Sequence, residues 1–128
     1  MKQTYKVYSA CFPMKNAIIL CSGGLDSIVT ANYVKKNLKY DKITILFFNY
    51  GQRNLNGERK FSKKCAKNLK AEFIDIDLPE LNKISTSMLN KKSKAKKIKL
   101  ADLKNTEAES KNWYVPFRNT IFLIYAFA

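Results

Sequence analysis

The chain has 128 residues, 46% hydrophobic and 27% charged, as expected for a globular protein with a single domain. Its formal net charge is +14, with 24 lysine and arginine residues against 10 acidic residues, and lysine supplies nearly all of the positive charge. Nucleic-acid surfaces usually include arginine for bidentate contacts, so we expect no stable nucleic-acid partner.

The cysteines indicate a reducing compartment. Cys11, Cys21 and Cys65 form no C-x-x-C pair, and the chain contains no histidine. These residues alone cannot form a zinc site, and they do not resemble a disulfide framework. No segment approaches the ~20 apolar residues of a membrane span, and nothing before Ala17 resembles a signal peptide. We therefore expect a cytoplasmic protein with no membrane partner.

The N-terminal residues are polar and irregular up to the first apolar run. Because termini are often loosely held, we interpret residues 1–15 as an N-terminal extension and residues 16–128 as one domain. The alternating pattern of Tyr5–Tyr8 leaves a short edge strand as the alternative.

The stretch between residues 17 and 27 predicts a strand, a tight turn and the start of a helix. Residues 17–21 are apolar and predict a buried strand of a parallel sheet. The turn consists of Ser22, Gly23, Gly24, Leu25, Asp26 and Ser27. The predicted helix carries one face formed by Ser27, Thr30, Ala31, Val34 and Leu38. Gly23 and Gly24 allow the backbone to turn tightly and to approach an anion without a Cβ in the way.

This turn has the features of a phosphate-binding loop. The free N–H groups and the dipole at a helix N-terminus attract anions. Ser22 and Ser27 offer hydroxyl donors, and Ser27 can also cap the helix. Asp26 would be repelled by phosphate alone, so its position predicts a bridging Mg²⁺. The alternative interpretation is a glycine turn that binds no ligand.

Two more strands and one more helix are predicted before residue 79. Residues 42–50 contain a continuous apolar run typical of a strand buried on both faces, and residues 73–78 alternate. A helix is predicted between them, at residues 57–69. Its buried face is predicted to contain Phe61, Ser62, Cys65, Ala66 and Leu69, opposite a solvated face of lysines. Two strand–helix–strand units predict right-handed crossovers, a parallel sheet and an α/β fold.

Three residues follow the second strand at the end where open α/β sheets bind ligands. They are Tyr50, Gln52 and Arg53. For Tyr50 and Gln52, packing within the turn is an equal alternative to ligand binding, and Arg53 can also be a surface residue.

The C-terminal third begins with a loosened pattern and ends in an apolar helix. Residues 91–99 contain six lysines, which we interpret as a solvated loop rather than an RNA contact because no aromatic residues interleave. Arg118 lies in an apolar setting, where a charge needs a phosphate or carboxylate partner. Asn119 can cap the last helix or contact a substrate. Residues 121–128 are all apolar and nothing follows to cover them, so we expect an incomplete fold that is inactive alone.

Three segments together resemble one family. The loop Ser22–Ser27 resembles the PP-loop of the ATP pyrophosphatases, and Tyr50–Arg53 and Tyr114–Thr120 complete signature blocks similar to those of the 7-cyano-7-deazaguanine synthases, the QueC family. The resemblance runs from Asn16 to Ala128. It implies a doubly wound parallel sheet with helices on both faces, of the adenine nucleotide alpha hydrolase-like and Rossmann-like type, lacking its C-terminal part.

The resemblance also implies an activity. The family converts 7-carboxy-7-deazaguanine and ammonia, with ATP and magnesium, into 7-cyano-7-deazaguanine, a precursor of queuosine and archaeosine. It implies catalytic roles for Asp26 and Arg118. The residues implied for ATP binding are Cys21, Ser22, Gly23, Gly24, Leu25, Asp26, Ser27, Ile28, Val29, Thr30 and Ala31. Those implied for substrate binding are Tyr50, Gln52, Arg53, Arg118 and Asn119.

The resemblance also implies a zinc ion, which the family binds through a C-terminal cysteine cluster that this chain does not contain. It further implies that the complete protein can form a homodimer. Two positions depart from the pattern: Asn49 stands where many relatives have Asp, and Asn54 where many have His.

Two other functions stay open. One is a different PP-loop enzyme, such as a tRNA-thiolating or lysidine-forming ligase, or a similar enzyme acting on another carboxylate. A thiolating enzyme needs a reactive cysteine, and Cys21, on a predicted buried strand, is a poor nucleophile. The other is a piece that binds nucleotide without turnover.

Overall fold

The structure, a computed structural model, describes residues 14–84, 87, 114–115 and 117–128. The elements are β1 (Asn16–Leu20), α1 (Leu25–Lys36), β2 (Lys42–Asn49), α2 (Leu55–Leu69), β3 (Glu72–Asp77), α3 (Pro79–Ile84) and α4 (Arg118–Phe127). The lysine run at residues 91–99 and most of the predicted N-terminal extension lie outside the described residues. None of the helices in the described part is long and apolar enough to cross a membrane.

The three strands form one parallel sheet in the order β1-β2-β3. Ile19 lies beside Ile45, and Ile45 lies beside Phe73. The central strand β2 carries the longest apolar run, and it is buried on both faces because it has a neighbour on each side and helices above and below. The predicted parallel α/β fold is therefore confirmed.

Helices α1 and α2 cover one face of this sheet. The core on this side consists of Ile19, Cys21, Ala31, Ile43, Ile45, Cys65, Ala66 and Leu69. Both connecting helices lie on the same face because the strand order advances in one direction and each crossover has the same hand.

Helices α3 and α4 cover the opposite face. Leu81 of α3 and Phe122 of α4 pack against Leu46 and Phe48 of β2. The rings of Phe48 and Phe122 stack with their centroids 4.2 Å apart and their planes 4° apart. Helices therefore lie on both faces of the sheet, as predicted for the doubly wound class.

The buried faces of the two long helices differ in part from the prediction. In α1 the packed residues are Ile28, Ala31 and Val34, whereas Thr30 is exposed and Leu38 lies beyond the helix end. In α2, Phe61 is 52% exposed, so its predicted burial is wrong.

The reason for the difference in α2 is a hydrogen bond. The Ser62 hydroxyl donates to the backbone carbonyl of Cys21 at 3.0 Å, and Ser62 is fully buried. This bond brings the small residues Ser62, Cys65 and Ala66 against the sheet and leaves no room there for the adjacent Phe61 ring.

Cys21 and Cys65 are free thiols buried where α2 packs on the end of β1. Burial, together with a smaller effect of the neighbouring Cys21 thiol, raises the pKa of the Cys65 thiol from 9.0 to about 11. The folded protein therefore favours the neutral thiol. Its contribution to stability is complete below pH 9 and is lost as the pH rises from 9 toward 11.

We expect this loss to be measurable against a Cys65→Ala variant. Chemical denaturation of both proteins at several values between pH 8 and pH 11 gives the difference in their free energies of unfolding. That difference should narrow by on the order of 2 kcal/mol over the range. Lysines and tyrosines are the same in both proteins, so their effect on stability cancels in the difference between the two free energies of unfolding. A difference that stays constant with pH would contradict the raised pKa.

Candidate functional site

A cleft of about 580 Å³ opens at the carboxyl ends of β1 and β2, on the face that α4 covers. Open α/β sheets bind ligands at this end of their strands. The lining residues are Leu20, Cys21, Ser22, Leu46, Phe48, Tyr50, Gln52, Glu58, Arg118, Asn119, Phe122 and Leu123. The cleft thus combines residues from the predicted loop, from the end of β2 and from the first turns of α2 and α4.

The predicted loop forms the N-terminal end of α1. Gly24 is the N-cap residue, and no side chain caps the helix. Among the described residues, none accepts a hydrogen bond from the backbone N–H groups of Leu25, Asp26 or Ser27. These free donors and the helix dipole make the loop suitable for an anion, as predicted.

Ser27 does not cap the helix. It lies inside the first turn, and its hydroxyl donates to the Gly24 carbonyl at 2.9 Å. The predicted cap is therefore wrong, because the helix begins two residues before Ser27. The Asp26 side chain is exposed in the same turn.

The two glycines of the loop differ in their requirements. Gly23 has a φ of +76°, and a Cβ built there would collide with the backbone carbonyl oxygen of Glu58. Gly24 has an ordinary φ of −74°. The nearest atom to a Cβ at Gly24 is the Ser22 hydroxyl oxygen, at 3.4 Å. Gly23 therefore permits the loop to approach α2, whereas Gly24 leaves the loop open toward solvent.

Two hydrogen bonds to the backbone of Cys21 fix the end of β1. The Cys21 N–H donates to the Leu46 carbonyl at 2.9 Å, and the Cys21 carbonyl accepts from Ser62. Ser62 thus positions the loop, a role that the sequence analysis missed. The sequence signal that could have revealed this role is a serine on the otherwise apolar face of α2.

The other residues implied for ATP binding divide into two groups. Leu25, Val29 and Thr30 are exposed on α1, and the Thr30 hydroxyl donates to the Asp26 carbonyl at 2.8 Å. Cys21 and Ala31 are buried and Ile28 packs on the core, so their side chains support the loop.

Gln52 is 3% exposed, and its amide is engaged within the turn after β2. Its Oε1 accepts from the Tyr50 N–H at 3.0 Å, and its Nε2 donates to the Phe48 carbonyl at 2.9 Å. Nε2 also donates to a Glu58 carboxylate oxygen at 3.2 Å. These bonds favour turn packing over direct ligand binding for Gln52.

Arg118 and Tyr50 meet across the cleft, although 68 residues separate them in the sequence. Arg118 Nη1 donates to the Tyr50 hydroxyl at 3.3 Å, and the guanidinium carbon lies 5.6 Å from the ring centroid. Burial raises the pKa of Tyr50, an effect that Arg118 opposes, so the phenol stays neutral at physiological pH. Within the described ranges, no carboxylate forms an ion pair with Arg118. Its charge is available to an anionic ligand.

Asn119 does not cap α4. Phe117 is the N-cap residue, with a φ of 52°, and the helix already begins at Arg118. Asn119 instead lies in the first turn, where its Oδ1 accepts from Arg118 Nε at 3.3 Å. The predicted cap is wrong because the left-handed conformation of Phe117 starts the helix earlier. Asn119 orients the guanidinium group.

The remaining predicted positions do not line the cleft. Arg53 is exposed beside the turn, and Asn54 is the N-cap residue of α2 without a side-chain hydrogen bond. Asn49 Nδ2 donates to an Asp77 carboxylate oxygen at 2.6 Å, and its Oδ1 accepts from the Gly51 N–H. Asn49 therefore joins the ends of β2 and β3.

Glu58 is a cleft residue that the sequence analysis did not identify. It lies in the first turn of α2 and is partly buried. In the part of the chain that the structure describes, no cationic side chain pairs with it. The sequence gives no signal for this position, because only the contact between α2 and Gly23 brings Glu58 to the cleft.

The described residues offer few side chains that could ligate a metal ion. Among the described residues, no cluster of three or more His, Cys, Asp or Glu side chains can hold a metal ion. Mg²⁺ is usually held by one or two carboxylates together with substrate phosphates, so the exposed carboxylate of Asp26 fits Mg²⁺ that arrives with a phosphate ligand. Cys21 and Cys65 are too few for zinc.

The chain matches the family model described as "Queuosine biosynthesis protein QueC" over residues 16–128. Three similar proteins carry the name 7-cyano-7-deazaguanine synthase. That of Methanoculleus marisnigri is 41% identical over 114 residues, which are 88% of this chain and 49% of that protein. That of Methanococcus maripaludis is 43% identical over 107 residues, 82% of this chain and 45% of that protein. That of a Psychrobacter species is 38% identical over 119 residues, 89% of this chain and 45% of that protein. The chain spans about half the length of the curated relatives it matches.

Proposed function

The chain belongs to the QueC family of queuosine biosynthesis proteins, and on this basis we propose that its cleft binds ATP and 7-carboxy-7-deazaguanine for the synthesis of 7-cyano-7-deazaguanine. One observation carries the proposal. Ser22, from the loop at the N-terminal end of α1, and Arg118 line the same cleft. A reaction between a carboxylate and the α-phosphate of ATP requires two such sites for negative charge, one on each reactant.

The proposed reaction follows the family chemistry in balanced steps. A carboxylate oxygen of the substrate attacks the α-phosphorus of ATP and expels pyrophosphate, which leaves an acyl adenylate. Ammonia then adds to the acyl carbon, loses a proton and displaces AMP, so that an amide forms. The amide oxygen then attacks the α-phosphorus of a second ATP and expels a second pyrophosphate. Loss of AMP and of the two amide protons gives the nitrile.

The residues of this chain serve mainly to bind and orient the reactants. The free N–H groups of Leu25, Asp26 and Ser27 bind the phosphates that leave as pyrophosphate. Asp26 would hold Mg²⁺, which neutralises phosphate charge when it is bound. Arg118 binds the negative charge where the carboxylate meets the α-phosphate, and Asn119 and Tyr50 fix its orientation. Positioning and charge neutralisation of this kind supply most of the catalysis in such transfers.

The two cysteines that the structure describes favour this function over tRNA thiolation. Cys21 and Cys65 are 2% and 4% exposed. Burial also raises the pKa of Cys65 to about 11, so very little of its reactive thiolate exists at neutral pH. Neither thiol is suited to carry sulfur to a polynucleotide.

Analysis of the nucleotide products tests the proposal. The full-length gene product is incubated with 7-carboxy-7-deazaguanine, ammonium and Mg·ATP, and the nucleotides are separated by chromatography. We expect AMP and pyrophosphate to accumulate together with the nitrile. Replacing the substrate with 7-deazaguanine, which lacks the carboxylate, should stop AMP release. ADP and phosphate as the primary products would refute the proposed chemistry.

A further inference from the structure

Among the described residues, no cationic side chain pairs with the carboxylate of Glu58, which lines a cleft that is proposed to bind anions. The backbone of Glu58 contacts Gly23, and its side chain lines the cleft together with Ser22. Among the described residues, its one side-chain partner is Gln52, which occupies a single acceptor position on Oε2. A carboxylate offers about four acceptor positions, so most of its capacity is unused. A bound phosphate would repel this group, and a ligand with N–H donors would satisfy it.

The groups around Glu58 indicate which kind of ligand can donate hydrogen bonds to it. Gln52 has no N–H donor left for a ligand, because its Nε2 already donates to the Phe48 carbonyl and to Glu58, while its Oε1 accepts from the Tyr50 N–H. The other walls near β1 and β2 are apolar or aromatic, formed by Leu20, Leu46 and Phe48. Apolar walls beside a carboxylate with unused acceptor positions suit a flat heterocycle that presents N–H groups along one edge.

We propose that Glu58 selects the deazaguanine base, by accepting hydrogen bonds from its ring N1–H and its 2-amino group. This inference rests on the proposed function, which supplies the substrate. Two adjacent donors on one edge match the two oxygens of a carboxylate, and one oxygen retains its bond to Gln52. Adenine does not present this pair, because its N1 is an acceptor beside the 6-amino donor. Glu58 therefore recognises the carboxylated base and not ATP.

The experiment compares two substrates with three proteins. The substrates are 7-carboxy-7-deazaguanine and its 2-deamino analogue, which lacks the exocyclic amino group. The proteins are the full-length wild type, Glu58→Gln and the control Glu80→Gln. Glu80 also lies in the first turn of a helix, but it is exposed on α3 and does not line the cleft. Glutamine at position 58 keeps an acceptor for Gln52, so the turn is preserved, and thermal unfolding checks the fold of each variant.

We expect wild type and Glu80→Gln to prefer the native base over the analogue by at least about 10²-fold in kcat/KM, since the bound base covers the Glu58 carboxylate and an acceptor left unpaired there is strongly unfavourable. In Glu58→Gln, kcat/KM for the native base should fall by about the same factor, because glutamine cannot accept both hydrogen bonds. The value for the analogue should change little, so the preference is lost. The KM for ATP should remain as in the wild type.

Three results would overturn the inference. Equal losses with both bases would mean that Glu58 only supports the turn through Gln52. Equal losses accompanied by a raised requirement for Mg²⁺ or ammonium would assign the carboxylate to that ligand instead. A preference retained in Glu58→Gln would show that another group reads the 2-amino group. A wild type that releases no AMP with either base would instead contradict the proposed function itself.

Discussion

Gly24→Ala should retain a stable fold and lose ATP binding, whereas Gly23→Ala should lose stability as well. A methyl group at position 24 meets only the Ser22 hydroxyl oxygen, at 3.4 Å, and the backbone there is ordinary. Alanine at such a position often stabilises a protein by about 0.4–1 kcal/mol. The same methyl group occupies the surface that a phosphate must approach, so we expect ATP affinity to fall at least ~10-fold.

Gly23→Ala serves as the matched comparison. A residue with a side chain at a φ of +76° is strained, and its Cβ would collide with the backbone of Glu58. We expect a loss of roughly 2–4 kcal/mol in the free energy of unfolding, from the left-handed conformation and the displacement of α2 together. Thermal unfolding and calorimetric titration with Mg·ATP measure the two effects separately. If Gly24→Ala binds ATP with unchanged affinity, the loop is not the phosphate site.

Arg118→Ala is expected to lower kcat/KM for nitrile synthesis by about 10²–10³-fold, the usual effect of removing one preorganised donor from a site of developing charge. The helix itself should remain, because the stacking of Phe122 on Phe48 does not involve Arg118. Arg118→Lys should recover only part of the activity, since lysine keeps the charge but lacks the planar fork that binds a carboxylate or phosphate with two hydrogen bonds.

Tyr50→Phe is the control for this experiment. It removes the hydroxyl that accepts from Arg118 but keeps the ring beneath the guanidinium group. We expect a decrease of a few fold, as for the loss of one hydrogen bond of about 1 kcal/mol. Steady-state kinetics and melting temperatures are measured for all three variants. An Arg118→Ala protein with normal kinetics, or one whose activity falls only in proportion to its stability, would exclude a role in binding the reactants.

The strands could be predicted from the sequence because each is a short apolar run between turn residues. The continuous apolar run of β2 correctly indicated a strand buried on both faces, and the alternation of β3 indicated a strand with a polar side. The loop after β1 could be placed for the same reason, since a strand and a helix bracket its two glycines. The sequence was sufficient to predict these elements because residues that are neighbours along the chain determine them.

The predictions that were wrong concern features that depend on tertiary contacts. The sequence cannot show that Ser62 rather than Phe61 faces the sheet, because the choice depends on a carbonyl group 41 residues away. The left-handed conformation of Phe117, which starts α4 before Asn119, is equally invisible in composition. Glu58 reaches the cleft only through the approach of α2 to Gly23. These three features are set by how elements dock.

The pairing of Arg118 with Tyr50 across 68 residues has a thermodynamic consequence. A nucleotide or substrate that bridges the loop and Arg118 binds only chains in which α4 has docked on β2. By mass action such a ligand stabilises the docked form, by about 2.7 kcal/mol when its concentration is a hundred times its dissociation constant. Under the proposed function, we therefore expect substrate supply to affect the lifetime of the protein as well as its rate of turnover, because molecules without ligand expose the apolar side of α4 more often to proteases and aggregation.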